Sequence, residues 1–332
     1  WKNEGGQAMI KDVSIEITQR CVNHCIHCSS CSSEDCTMML QQDTLHRVIQ
    51  GLHRLKVERV CLSGGEPFLH PNIVEIVKQI SDFNIIVDIY SCGIVKDAGE
   101  IKPLSLDLLS KMKEVGLRSL LFNLQSVNEN TYDLITQSKG HLPILRESIA
   151  NAIKCGIRTE IHFVPMKQNA DDAMAVIQFA EQMGIEQVNF LKLVPHGRAR
   201  KNSQSITIND ADLSKLCSRL VNLQIKGKPI RLGLPLSIQG STPPCHAVKE
   251  KLYIKFDGSV FGCEAFKYVT FYDEHGTPVL PDNILEKDVE QIYKKSEYLK
   301  QSIKLVEKYE ECQSDCENCP VQKYLKEMGA LK

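Results

Sequence analysis

Residues 21–28 read CVNHCIHC and set Cys21, Cys25 and Cys28 in a C-x3-C-x2-C pattern, with His24 and His27 between them. Three thiolates on one short loop hold a metal centre and leave one coordination position open, as a catalytic site needs and a structural site avoids. A zinc knuckle completed by His24, His27, Cys31 or Cys36 is the structural alternative at this spacing. A second motif, SGGEP at residues 63–67, follows one strand later. Gly64 and Gly65 permit close approach of backbone to a ligand, and Glu66 offers a carboxylate to an ammonium group. The chain holds 14 cysteines, too many for packing alone, and they cluster at residues 21–36 and again at 312–319. In a reducing compartment such clusters point to metal rather than to disulfides, and their separation points to two sites.

The elements that must position these groups are legible between residues 12 and 194. Strand-like runs recur as VSIEI (13–17), RVCLS (59–63), NIIVDIY (84–90), SLLFNL (119–124), TEIHFV (159–164) and QVNFLKLV (187–194). Between them, Leu45, Val48, Ile49, Leu52 and Leu55 have helical spacing, as do Ile73, Ile76, Val77 and Ile80. Three helices end in KEVGLR, IKCGIR and EQMGIE, where Gly116, Gly156 and Gly184 suit a left-handed C-cap followed by an apolar contact. Strands alternating with helices imply parallel pairing, and six such units are too few to close an eight-unit barrel. The expected fold class is therefore α/β, an open partial (β/α)6 barrel over residues 10–200 with its active loops after the strands. A connector at 201–240 contains an amphipathic helix at 209–223, after which Pro229, Pro235, Pro243 and Pro244 punctuate an irregular stretch. KLYIKFDGSVFGC (251–263) reads as a hairpin around Asp257-Gly258, and residues 286–309 read as helical. This second module, at 241–325, has little apolar content and needs a metal staple.

With 332 residues, 42% of them hydrophobic, the chain can bury a large core, and its net charge of −1 without long basic runs gives no reason to expect nucleic acid or an anionic membrane. No apolar run approaches the roughly 20 residues that span a bilayer, and no secretory signal is apparent. A cytoplasmic location is the expectation. The chain starts at Trp1 rather than Met, so nothing rests on its first residues.

A three-cysteine loop one strand before a GGE motif resembles the radical S-adenosylmethionine (radical SAM) superfamily. The resemblance implies that Cys21, Cys25 and Cys28 hold a [4Fe–4S] cluster whose fourth iron is chelated by S-adenosylmethionine. One-electron cleavage of that cosubstrate would yield a 5′-deoxyadenosyl radical that takes a hydrogen atom from a substrate C–H bond. It further implies that Ser63, Gly64, Gly65 and Glu66 hold the methionine amino group and that His27 lies near the adenine. Ser91, in YSCG, would be a further cosubstrate contact, with Asn123 and Gln125 on the ribose. Cys245, Gly258 and Cys263 resemble the C-x(9–15)-G-x4-C element of SPASM and twitch extensions. By that resemblance Cys245, Cys263, Cys312, Cys316 and Cys319 supply one auxiliary [4Fe–4S] cluster, with zinc as the alternative. Cys217, Cys31, Cys36 and Cys92 are candidate hydrogen-atom donors, while Cys61 and Cys155 read as packed hydrophobes. HGRAR (196–200) reads either as a contact for an anionic group or as a solvated turn. The favoured substrate is a ribosomally made peptide, epimerised or cross-linked, with flavodoxin or ferredoxin as reductant. The short N-terminus leaves no room for a winged-helix leader-binding domain, so a separate protein or the barrel would bind the leader. The alternatives are a sugar-like or tetrapyrrole small molecule and a zinc-stapled scaffold protein.

Overall fold

The computed structural model describes residues 9–233, 236, 245–310 and 319–329, so Cys312, Cys316, Pro235, Pro243 and Pro244 lie outside the described residues. All six expected barrel strands form: β1 (Asp12–Thr18), β2 (Arg59–Gly64), β3 (Ile86–Ser91), β6 (Leu117–Asn123), β7 (Arg158–Phe163) and β8 (Gln187–Phe190). They lie side by side in chain order, each pair parallel. The last strand stops at Phe190, four residues short of the expected run, which continues as irregular backbone toward Pro195. A hairpin that the sequence reading did not anticipate, β4 (Ile94–Asp97) and β5 (Glu100–Pro103), follows β3.

The crossovers are α1 (Gln42–Arg54), α2 (Ile73–Asp82), α3 (Leu106–Glu114), α4 (Glu129–Thr136), α5 (His141–Lys154) and α6 (Ala173–Met183). Gly116, Gly156 and Gly184 carry φ of 101°, 66° and 69°, the left-handed conformation expected where those helices stop. Strand side chains alternate between two faces. Val13, Ile15, Ile17, Val60, Leu62, Val87 and Ile89 are fully buried against the helices. The opposite, inner face carries Glu16, Cys61, Ser63, Asp88, Tyr90, Glu160, His162 and Asn189, aligned across the sheet by the register. Burying apolar groups outward leaves the interior for chemistry.

Both open edges of the partial barrel are extended. After α7 (Gly197–Lys201), α8 (Ser203–Ile206) and α9 (Asp210–Ile225), strand β9 (Ile230–Leu232) adds parallel to β8. At the other edge β10 (Lys251–Ile254), paired antiparallel with β11 (Val260–Phe261), adds parallel to β1. The hairpin read from Asp257-Gly258 is present, and its first strand joins the barrel sheet. Pairing covers an edge that would otherwise present unsatisfied backbone groups. The segment read as one helix over 286–309 is two, α10 (Val289–Lys295) and α11 (Glu297–Glu310), broken at Ser296, and α12 (Pro320–Glu327) follows. Helix α10 lies on α1, where Arg54 pairs with Glu290 at 3.0 Å. Among the described residues no helix is long and apolar enough to cross a membrane.

Candidate active site

The cysteine loop leaves β1 at the end of the barrel where β2 and β3 also finish. Cys21 and Cys25 are buried and Cys28 is half-buried. The loop is pinned from several elements: His24 and Ile26 donate backbone N–H to Thr136 and Ile135 at the end of α4, at 3.0 and 2.9 Å. Arg198, the central residue of HGRAR, is buried among the loop carbonyls. Its Nε donates to the Cys25 oxygen at 2.8 Å, its Nη2 to Ser32 at 2.6 Å and its backbone N–H to Cys28 at 2.9 Å. Gly197, at φ 56°, lies so close that a Cβ would fall 2.5 Å from the Ser29 oxygen. Within HGRAR, then, Arg198 clamps the loop, while Arg200 is exposed. Burial pushes the Cys25 thiol well up, its neighbours Cys21 and Cys28 add to this, and Arg198 opposes it. Burial first, then Arg198, lower His27 to about 4, so its imidazole is neutral, and its Nδ1 is buried without a partner among the described residues.

The SGGEP loop packs directly on this one. Cβ atoms at Gly64 and Gly65 would lie 2.2 Å from the Thr18 oxygen and 2.0 Å from the Arg20 oxygen. The glycines are therefore required by contact with the cysteine-loop backbone, before any ligand is considered. Glu66 is fully buried and accepts from Ser91 Oγ at 2.9 and 3.0 Å, from the Cys92 N–H at 2.7 Å and from the Phe68 N–H at 3.1 Å. Burial raises its carboxyl while those bonds pull the other way. Ser63 is buried beside this loop on the inner face, paired in register with Glu16. Gln125 is fully buried, accepting from the Val164 N–H at 2.9 Å and donating to the His162 oxygen at 3.3 Å and to Asn123 Oδ1. Asn123, half-buried, is the more accessible of that pair.

The hydrogen-donor candidates separate by position. Cys92 is buried; the neighbouring Cys21 and burial push its thiol well up, and its Sγ lies 3.6 Å from the Ile94 oxygen. Cys31, at φ 54°, and Cys36, whose Sγ lies 3.3 Å from Ser33 Oγ, sit farther along the loop. Cys217 is buried on α9 within the apolar core. Cys61 is half-buried on the inner face, and burial pushes its thiol well up.

Cys245, Cys263 and Cys319 form the second group. Burial raises the Cys263 thiol, and the nearby Cys319 and Cys245 raise it further. The short helix after Cys263 returns to the first site. Lys267 Nζ donates to Glu16 Oε1 at 2.8 Å and to Ser30 Oγ at 2.9 Å, and Ser30 in turn donates to Glu16. Lys267 also lies 4.6 Å from the Tyr253 ring centroid. This buried triad ties the barrel, the cysteine loop and the C-terminal module together. Its members were not anticipated, although the charged Glu16 inside VSIEI was a visible signal. Among the described residues no three His, Cys, Asp or Glu side chains converge closely enough for a single metal ion. Three enclosed thiols from one loop, an arginine to offset their charge and an orphaned imidazole nitrogen suit an iron–sulfur cube with a cosubstrate beside it.

A family model for the radical SAM superfamily matches residues 15–180. A model for the SPASM iron–sulfur cluster-binding domain matches residues 245–320. A probable GTP 3′,8-cyclase of Sulfurisphaera tokodaii is 25% identical over 67% of this chain and 68% of its own. A PqqA peptide cyclase of Bradyrhizobium diazoefficiens is 24% identical over 79% of this chain and 68% of its own. Among solved structures, Streptococcus suis SuiB bound to S-adenosylmethionine superposes with a TM-score of 0.70 at 15% identity, covering 90% of this chain and 68% of SuiB. SuiB bound to its precursor peptide SuiA gives 0.69 at 15% identity, covering 88% and 66%. The chain thus spans about two thirds of the lengths of these proteins.

Proposed function

From the premise that this chain belongs to the radical SAM superfamily, as an enzyme carrying a SPASM domain, we propose that it modifies a ribosomally made peptide by epimerisation or cross-linking. When bound, the cluster and S-adenosylmethionine supply one-electron cleavage of a sulfonium and a radical able to take hydrogen from carbon. The residues of this chain do the rest. Cys21, Cys25 and Cys28 would hold the cluster, and Arg198 keeps their loop in place. The 63–66 backbone and Glu66 would receive the methionine end, His27 the adenine and Asn123 the ribose. Cys245, Cys263 and Cys319, with Cys312 and Cys316, would hold the auxiliary cluster, and Lys267 fixes that module against the first site.

The observation that carries the peptide reading is the extent of likeness. The SuiB fold, seen with a precursor peptide, covers 88% of this chain, and a peptide cyclase aligns with 79% of it. The GTP cyclase likeness supports a second reading, a small-molecule substrate. Anaerobic reconstitution is expected to give about eight irons per chain, and Cys21, Cys25 and Cys28 changed together to Ala about four, with no 5′-deoxyadenosine formed. Incubation with reduced flavodoxin and either a co-encoded precursor peptide or GTP then separates the readings. A mass or chirality change in the peptide supports the first; turnover of GTP alone overturns it.

A further inference from the structure

A basic and partly apolar face lies against the cysteine loop. Residues 187–209 contain no Asp or Glu and four cations, Lys192, Arg198, Arg200 and Lys201. Arg198 is engaged inside, on the Cys25 and Ser32 carbonyls. Arg200 and Lys201, close to it in the chain on α7, are exposed. Arg200 lines a hollow of about 320 Å³ together with Phe261, Tyr268, Val279, Leu280 and Pro281, and no carboxylate is among the lining residues. Tyr268 and Leu280 are 44% and 72% exposed, so the hollow opens at the surface between an arginine and an apolar rim. Tyr272, paired with Pro278 on the adjoining hairpin, adds a further exposed ring.

This face meets the cysteine loop at its least enclosed thiol. Cys21 and Cys25 are buried, whereas Cys28 is half-buried. The Arg198 backbone N–H donates to the Cys28 oxygen at 2.9 Å, and the Tyr268 hydroxyl donates to the Ser29 oxygen, one residue on, at 3.2 Å. The His196 ring lies 4.4 Å from the Tyr268 ring, and its Nε2 is 3.0 Å from the Ala265 oxygen. The basic segment and the short helix after Cys263 are thereby held together on the loop. A single side chain, Tyr268, reaches from the exposed face to the backbone beside Cys28.

One-electron cleavage of a sulfonium consumes an electron that must enter from outside the chain. Encounters between redox proteins are small and short-lived, and opposite charge on the two faces sets how fast they form. An exposed apolar patch rimmed by polar groups is the usual mark of such a contact. We propose that the face formed by Arg200, Lys201, Tyr268 and Leu280 docks an acidic one-electron donor protein, whose electron enters beside Cys28. The donor loses one electron and the cluster held by Cys21, Cys25 and Cys28 gains it; no bond forms or breaks at this face. The proposal goes beyond the peptide reading and holds for a peptide or a nucleotide substrate alike. A substrate peptide is the competing occupant, and contact with the residue next to Cys28 favours the donor, because its electron has to arrive there.

The test uses the reconstituted enzyme, oxidised flavodoxin as the binding probe, and two reductants, reduced flavodoxin and dithionite, the second too small to need a docking face. Titration calorimetry is expected to show flavodoxin binding that weakens at least about tenfold between about 50 and about 500 mM salt. Arg200→Glu with Lys201→Glu, and separately Leu280→Asp, should each weaken binding at least about tenfold at low salt. Each should slow flavodoxin-driven formation of 5′-deoxyadenosine to match, while the dithionite-driven rate stays within about twofold of native. Iron content measured on each variant reports the cysteine sites, and Arg200→Gln with Lys201→Gln replaces a charge-reversed variant that loses iron. Equal slowing with both reductants, binding and flavodoxin-driven rate unchanged in both variants, or no flavodoxin binding by the native enzyme up to about 1 mM overturns the proposal. Variants that keep flavodoxin binding but raise the KM for a precursor peptide would give the face to the substrate instead. None of these readouts depends on which substrate is turned over, so the peptide reading stands or falls separately.

Discussion

Lys267→Met tests whether the buried triad holds the two halves of the site together. The Lys267 and Glu16 side chains are 1% and 2% exposed, so neither charge has recourse to water. The substitution keeps the aliphatic stem against Tyr253 and deletes the donor to Glu16 and Ser30. Removing one partner of a buried ion pair costs about 3–5 kcal/mol, because the other charge stays buried without compensation. At about 2.1 cal/mol/K of unfolding entropy per residue, the 332-residue chain should lose about 4–7 °C in Tm. The double variant Glu16→Gln with Lys267→Met removes both charges and should recover more than half of that loss, as followed by scanning calorimetry of the reconstituted protein. The pH dependence is fixed in sign. The nearby carboxylates of Glu16 and Glu264 hold Lys267 above its ordinary 10.5 despite burial, so its contribution is complete at neutral pH and is lost only as pH rises through that higher folded value. A drop under about 1 °C, or a double variant no more stable than the single one, refutes the reasoning.

Three further outcomes follow from the same geometry. Gly65→Ala places a methyl 2.0 Å from the Arg20 oxygen, so the two site loops must part; S-adenosylmethionine affinity, measured by calorimetry, should fall at least about tenfold. Arg198→Met strands the Cys25 and Ser32 carbonyls in a buried position at a cost of about 1–3 kcal/mol, and iron should pass to a chelator at least about tenfold faster than from the native enzyme. Burial lowers His162 to about 3 and His196 to about 4, so the unfolded chain takes up their protons first as pH falls below about 6.5. Each should subtract about 2 kcal/mol of stability by about pH 5, read from urea unfolding, and His162→Gln should remove its own share of that slope and leave the rest.

The parts of this molecule legible in its sequence are those whose partners lie nearby in the chain. The six barrel strands show as apolar runs because parallel strands are covered on their outer face by their own crossover helices. The three glycine caps appear at the expected helix ends for a local reason too, since only a left-handed residue stops the helix there. The cysteine triplet and the GGE turn are each a few residues long, and their chemistry needs no distant partner to be recognised.

What the sequence concealed is long-range. Lys267 meets Glu16 across 251 residues of chain, and Arg198 meets Cys25 across 173; nothing in KYV or HGRAR distinguishes a buried clamp from a surface charge. The KLYI segment reads equally well as half of a free hairpin, and only the open edge of a six-unit barrel decides that it pairs with β1. That same pairing carries Cys263 and the short helix after it back toward the cysteine loop, which brings Lys267 onto Glu16 and Ser30. The incompleteness of the barrel and the presence of a second cysteine group are therefore linked: the open sheet takes one edge strand from the segment that also carries Cys245 and Cys263, and Lys267 arrives with it.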